Sequence, residues 1–248
     1  MMIQRKLVAE EILRPAEQGR SCPFLVRDTE GDVYVVKGID GAGRSALVSE
    51  LLCAELGDRC GLPIPDHGIM EISPTLLAHC GVEKAHELGG GPAFASLLLD
   101  QAAEMRFSQV ASIGEDLQQR VLLFDIWVNN GDRQLTALGG NVNLLMTPEN
   151  QLAVIDHNVA LLDLEPPDWT NLHVFSGQTT TLDDLVVREA HIEVLDRALA
   201  DWDTIVDLLP DEWVYRDPDD DTTPSQPTLE ARHQWLKRLN EDDIWRNL

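Results

Sequence analysis

The stretch Phe124–Asp156, FDIWVNNGDRQLTALGGNVNLLMTPENQLAVID, runs from an amphipathic helix through a polar loop into a strand, a turn and a second strand. Leu117, Val121, Phe124 and Val128 fall at i, i+4, i+7 and i+11, a spacing that predicts one core-facing helical stripe. Ser112-Ile113-Gly114-Glu115 has the Ser-x-x-Glu form of a capping box that would open this helix. Asn129-Asn130-Gly131 closes it, because Asn and Gly tolerate the left-handed conformation a helix end requires. Asp132 is thereby placed on a loop held by a rigid element. Leu144–Met146 and Leu152–Ile155 flank Thr147-Pro148-Glu149-Asn150, which reads as a hairpin. If Asn143 enters its first strand and Asp156 leaves its second, the two side chains are neighbours.

Asp132, Asn141, Asn143 and Asp156 are thus the candidate chemical residues. Carboxylate and amide oxygens suit Mg²⁺, and no compact Cys/His cluster points to a transition metal. Phosphoryl transfer needs an acceptor for the attacking hydroxyl's proton and oxygen ligands for metal bridging the phosphates. Taken singly, each residue also has an ordinary structural role, since Asn-Gly makes turns and an Asp after an apolar run often caps the next element. Their ordering along one helix, loop and hairpin favours the chemical role.

Composition bounds the rest. A chain of 248 residues, 44% of them hydrophobic, can bury a sizeable core as one large domain or two packed lobes. Lys+Arg number 19 against Asp+Glu 43, a net charge of -24 whose field disfavours direct nucleic-acid binding and anionic membranes. Phosphate binding then requires locally placed cations or metal. Cys22, Cys53, Cys60 and Cys80 show no CxxC spacing and read as reduced thiols of a cytoplasmic protein. No signal peptide and no membrane span is expected. Asp217–Thr228, DPDDDTTPSQPT, reads as an exposed linker before a short final helix.

Towards the N-terminus, Phe24–Val26 and Val33–Val36 are β-rich runs around the turn Asp28–Asp32. The second run ends in Lys37, suited to meet phosphate oxygens with its stem in the core; an edge-strand gatekeeper is the alternative. Gly38–Ser45, GIDGAGRS, stands one residue from a Walker A loop, and Leu152–Asp156 could pass for a Walker B strand. Arg44 in place of the motif's Lys, and a hairpin before the loop, count against a P-loop nucleotidase. Ser45 to about Cys60 is a helix that carries Glu50, a candidate partner of Lys37, and ends at Gly61-Leu62-Pro63-Ile64-Pro65. Gly68–Ile72 reads as a strand, Glu87–Pro92 as a break between a β-rich and a helical region, Phe94–Ala103 as helix, and Leu182–Leu209 as further helix.

Tyr34-Val35-Val36-Lys37-Gly38, the Glu50 helix with Gly61–Pro65, FDIWVNNGDR, GNVNLL and VIDHN together resemble the HipA-like kinases, in particular a short HipA-related family. The resemblance spans roughly residues 21–162. It implies an α+β, two-lobed protein-kinase-like fold: a β-rich nucleotide-binding lobe over residues 1–90 and a mainly helical lobe over 91–248. It implies ATP and Mg²⁺ as cofactors and a hydroxyl acceptor, protein Ser/Thr among the candidates. Lys37 would grip phosphates with Glu50 as its helix partner, and Ser21 and Cys22 would join them at the nucleotide. Asp132 would be the catalytic aspartate, and Asp156 and one of Asn141 and Asn143 would hold metal; Asn143 is favoured because an apolar strand follows it. A pseudokinase or interaction module of the same fold is the alternative.

Overall fold

The computed structural model describes residues 7–16, 21–136, 138–217, 220–241 and 245. Its strands are β1 (Leu7–Pro15), β2 (Phe24–Asp28), β3 (Val33–Lys37), β4 (His67–Ile72), β5 (Gly91–Leu97), β6 (Ala103–Glu104), β7 (Leu144–Met146), β8 (Leu152–Val154), β9 (Tyr215–Asp217) and β10 (Asp220–Pro224). The α-helices are α1 (Ile39–Ala42), α2 (Arg44–Arg59), α3 (Pro74–His79), α4 (Glu115–Trp127), α5 (Thr179–Leu182), α6 (Leu185–Leu199), α7 (Trp202–Val206), α8 (Asp211–Val214) and α9 (Leu229–Leu236). The N-terminal region is β-rich and the C-terminal region mainly helical. None of the described helices is long and apolar enough to cross a membrane.

The chain divides into two compact units. The first comprises Met1–Leu51, Pro65–Leu99 and Leu208–Gln226. It is built on a closed barrel in the order β1-β2-β3-β5-β4. The β2–β3 hairpin is antiparallel, with Phe24 opposite Val36 and Val26 opposite Tyr34. Its turn is made by Asp28, whose Oδ1 accepts the backbone N–H groups of Glu30 and Asp32 at 2.9 Å each, while Gly31 takes φ 95°. Leu7, Ile12, Phe24, Val26, Tyr34, Val36, Met70, Ile72, Ala93 and Ala95 fill the barrel.

Two expectations are corrected in this unit. Residues 91–97 form β5, paired antiparallel with both β3 and β4, where the sequence suggests a helix over 94–103. Ala93, Phe94 and Ala95 are buried in succession, and such an unbroken apolar run carries no alternation that separates strand from helix. Asp217–Thr228 is also not a plain linker: β9 and β10 pair antiparallel, and the Ser225 hydroxyl donates to Trp213 O at 2.5 Å. Pro218 and Asp219 of that stretch lie outside the described residues.

The second unit comprises Leu52–Ile64, Asp100–Asp207 and Pro227–Leu248. It carries the three-stranded sheet β6-β7-β8 and α4. Residues 121–130 are buried without interruption, so α4 is enclosed well beyond the single stripe its spacing suggests. Its N-cap is Gly114 with no side-chain cap. Ser112 does not form the expected capping box; its hydroxyl donates to Gln109 O at 2.6 Å. The final helix α9 is core, not an appendage. Trp235 Nε1 donates to Trp127 O and Trp127 Nε1 to Leu236 O, each at 2.8 Å.

Candidate functional site

In the first unit, Lys37 ends β3, which lies between β2 and β5 and places Lys37 opposite Phe94. A central strand is no place for an edge gatekeeper. Its Nζ forms a buried ion pair with Oε1 of Glu50 on α2, so the pairing expected from strand and helix is present. Ser21 and Cys22 immediately precede β2. The Ser21 hydroxyl is buried with no hydrogen-bond partner among the described residues. Cys22 adopts φ 47°, and a hydrogen bond with Glu87, then burial, pushes its thiol above the ordinary cysteine value. A Cβ on Gly41 would lie 3.1 Å from Ser21 O, so α1 approaches the Ser21 backbone closely.

The P-loop alternative fails on these strands. β3 has only antiparallel neighbours, whereas β8 belongs to a different sheet. Arg44 Nε donates to Glu212 O at 3.0 Å, and the Ser45 hydroxyl donates to Gln226 O; both side chains are engaged in holding α2.

In the second unit, the loop after α4 is tightly specified. Asn129 takes φ 50°, donates through Nδ2 to Asp163 O and Glu165 O at 2.9 and 3.0 Å, and accepts from Trp169 Nε1 at 2.9 Å. Gly131 is required by space, since a Cβ there would meet the Trp169 ring at 2.8 Å. Asp132 follows, half-buried. Asn143 Nδ2 lies 3.3 Å from Asp132 Oδ2, and Asn143 O accepts the Ile155 N–H at 3.2 Å. The antiparallel hairpin pairs Leu144 with Val154, which sets Asn143 opposite Ile155 and beside Asp156. Asn143 and Asp156 both take left-handed conformations, φ 48° and 59°, which is strain at two of the residues singled out for chemistry. Asn141 is exposed, and its carbonyl is taken by Gln134 N at 2.7 Å. The structure therefore brings Asp132 and Asn143 together and leaves the Asn141 side chain outside that contact. Among the described residues no group of three or more His, Cys, Asp or Glu could hold a metal. An amide oxygen and a carboxylate completed by phosphate and water oxygens is a donor set that fits Mg²⁺.

Four residues to which the sequence reading assigned no role of their own bind this region together. Asp125, Arg133, His157 and His173 are buried. Arg133 donates through Nε to Asp125 Oδ2 at 2.7 Å, through Nη1 to Asn143 O and to Ile155 O at 3.2 Å, and through Nη2 towards His157 Nε2 at 3.3 Å. His173 Nε2 lies 2.9 Å from Asp125 Oδ2, and Asn130 Nδ2 donates to Asp125 Oδ1 at 2.9 Å. Burial alone would raise the Asp125 carboxyl, but Arg133 and His173 outweigh it and hold it below the usual carboxylate range. Burial pushes His173 below the ordinary histidine value, further than Asp125 pushes it up. A charged, hydrogen-bonded core group thus fastens the loop to the hairpin. The signals available in sequence were a charged residue inside an apolar helix, Asp125, and an Arg directly after the candidate aspartate.

A family model described as HipA-like kinase matches residues 9–248. The chain belongs to that family. Membership in the HipA-like kinases supports a kinase-type phosphotransferase, as the motifs implied. Among solved structures, the proinflammatory kinase CtkA of Helicobacter pylori is similar with a TM-score of 0.51 and 11% identity, over 94% of this chain and 93% of that one. At that identity the likeness concerns the fold, which is kinase-like. A MAP kinase of Leishmania major aligns at a TM-score of 0.27 and 10% identity over 96% of this chain and 79% of its own, too weakly to carry an argument. No curated protein matches the chain.

Proposed function

We propose that this HipA-like kinase is an ATP- and Mg²⁺-dependent phosphotransferase of the two-lobed kinase type that moves the γ-phosphate to a hydroxyl. The observation that carries the proposal is the 3.3 Å approach of Asn143 Nδ2 to Asp132 Oδ2, at the mouth of the hairpin that ends in Asp156. Lys37, steadied by Glu50, grips nucleotide phosphates through charge-assisted hydrogen bonds, and Ser21 and Cys22 contribute to the same nucleotide site. Asn143 and Asp156 hold Mg²⁺, which supplies neutralisation of the charge on the transferring group. Asp132 orients the acceptor hydroxyl and takes its proton as the new O–P bond forms and the bond to ADP breaks. Preorganised charge carries most of the rate. The reduced thiols fit a cytoplasmic location, and the acidic surface disfavours nucleic acid as acceptor.

Transfer of labelled γ-phosphate from ATP to proteins and small alcohols, with Mg²⁺ and with chelator, tests this. Labelled acceptor formed only with Mg²⁺ is the expected result. Mg²⁺-dependent ATP binding with no transfer to any acceptor would mark a pseudokinase instead.

A further inference from the structure

His173 is distant in sequence from the loop that carries Asp132, yet it is joined to that loop twice. Its backbone bridges antiparallel to Gln134, and Val174 N donates to Arg133 O at 3.0 Å. Its ring meets Asp125 Oδ2 at 2.9 Å. Phe175 N–H donates to Nδ1 at 3.1 Å, so Nδ1 is an acceptor and the ring proton sits on Nε2, where a neutral imidazole donates to the carboxylate. Asp125 in turn receives Arg133 Nε at 2.7 Å. Arg133 then reaches Asn143 O and Ile155 O, the carbonyls of one proposed metal residue and of the neighbour of the other.

From this chain of contacts we infer that His173 is a positioning residue for phosphoryl transfer: by clamping Asp125 it fixes Arg133, and Arg133 fixes the loop bearing Asp132 against the hairpin bearing Asn143 and Asp156. The inference rests on the proposed kinase activity. Asp125, Arg133 and His173 are buried almost completely, so water does not readily replace a lost donor, and the carboxylate settles into a new geometry. A displacement of about 1 Å at a reacting centre costs roughly 10²-fold in rate.

The test compares His173→Phe, which removes the donor, with His173→Gln, which keeps one. Two readouts are taken on the full chain: kcat and KM corrected for folded fraction, and hydrogen exchange at the amides of Gln134, Val174 and Ile155. The Phe variant should lose about ten- to a hundredfold in kcat with KM for ATP within about threefold of the parent. It should speed exchange at those three amides selectively, and the Gln variant should reverse most of both effects. Unchanged exchange, faster exchange across the whole second unit, or turnover that falls only with the folded fraction would overturn the inference. If the parent chain transfers no phosphate, the kinase proposal fails separately and the exchange pattern alone decides whether His173 positions the loop.

Discussion

Lys37→Met keeps an unbranched apolar stem of similar size and loses the ammonium, leaving the Glu50 carboxylate without that counter-charge. Lys37 is 7% exposed and Glu50 1%, so neither charge is relieved by solvent. Removing one partner of such a buried pair costs about 3 to 5 kcal/mol, because the remaining buried charge loses its ion-pair partner. For a chain of this length each kcal/mol lowers the melting midpoint by about 2 to 4 °C, so the expected fall is roughly 6 to 20 °C. Glu50→Met should cost a similar amount. The double variant removes both charges and should be well more stable than the sum of the single losses implies, with a coupling of at least about 1.5 kcal/mol. Calorimetric melting gives the stabilities, and titration with ATP gives binding on the same samples. Stability should recover in the double variant while ATP binding does not, since the phosphate-gripping ammonium is still missing. Single effects that add within about 0.5 kcal/mol, or full ATP affinity in the double variant, would refute the assignment of Lys37 and Glu50.

Gly38→Ala would place a Cβ 1.8 Å from Leu88 O; it should cost about 3 kcal/mol or more in a urea titration, whereas Gly177→Ala, with open space at its Cβ, should be near neutral. Asn143→Ala should weaken Mg²⁺-dependent nucleotide binding by about 1.5 to 3 kcal/mol in calorimetry, and Asn141→Ala, exposed in the structure, should not; the reverse ranking would move the metal role to Asn141. Acid should destabilise the second unit in two stages. His173 is held below its ordinary value of 6.5, so below about pH 6.5 the unfolded chain binds a proton the folded chain refuses, and stability falls as pH drops. Asp125 is held below its ordinary 3.8, which adds a further loss below about pH 4 as its stabilising ionised form is titrated. His173→Phe should flatten part of the upper stage, seen in denaturant titrations across pH; an unchanged slope would contradict a buried neutral His173.

Much of the local structure is legible in the sequence because it is specified locally. The β2–β3 and β7–β8 hairpins announce themselves through turn residues between apolar runs, and the Lys37–Glu50 contact follows from a strand leading into a helix. Gly91–Leu97 does not read as a strand because a run buried on both sides shows no period of two. Asp217–Thr228 reads as a linker because composition reports solubility and not the backbone pairing of β9 with β10. The packing of α9 rests on Trp127 and Trp235, which lie 108 residues apart, a separation no local pattern encodes. At the site, Asp132, Asn143 and Asp156 are visible as a motif. The clamp on them is not, because His173 stands 48 residues from the Asp125 it holds, and Trp169-Thr170-Asn171-Leu172-His173 carries no motif that marks its histidine.

The most direct measurement is single-turnover phosphoryl transfer by Asp132→Asn, made alongside melting and Mg²⁺-ATP affinity of the same protein. Asn keeps an oxygen for the Asn143 amide that now lies 3.3 Å from the aspartate and suits the same turn, so folding and affinity should stay close to the parent. It cannot take the proton of the attacking hydroxyl, and transfer should therefore fall at least about a hundredfold. Near-normal transfer by a well-folded Asp132→Asn would contradict the role given to Asp132, and with it the proposed mechanism.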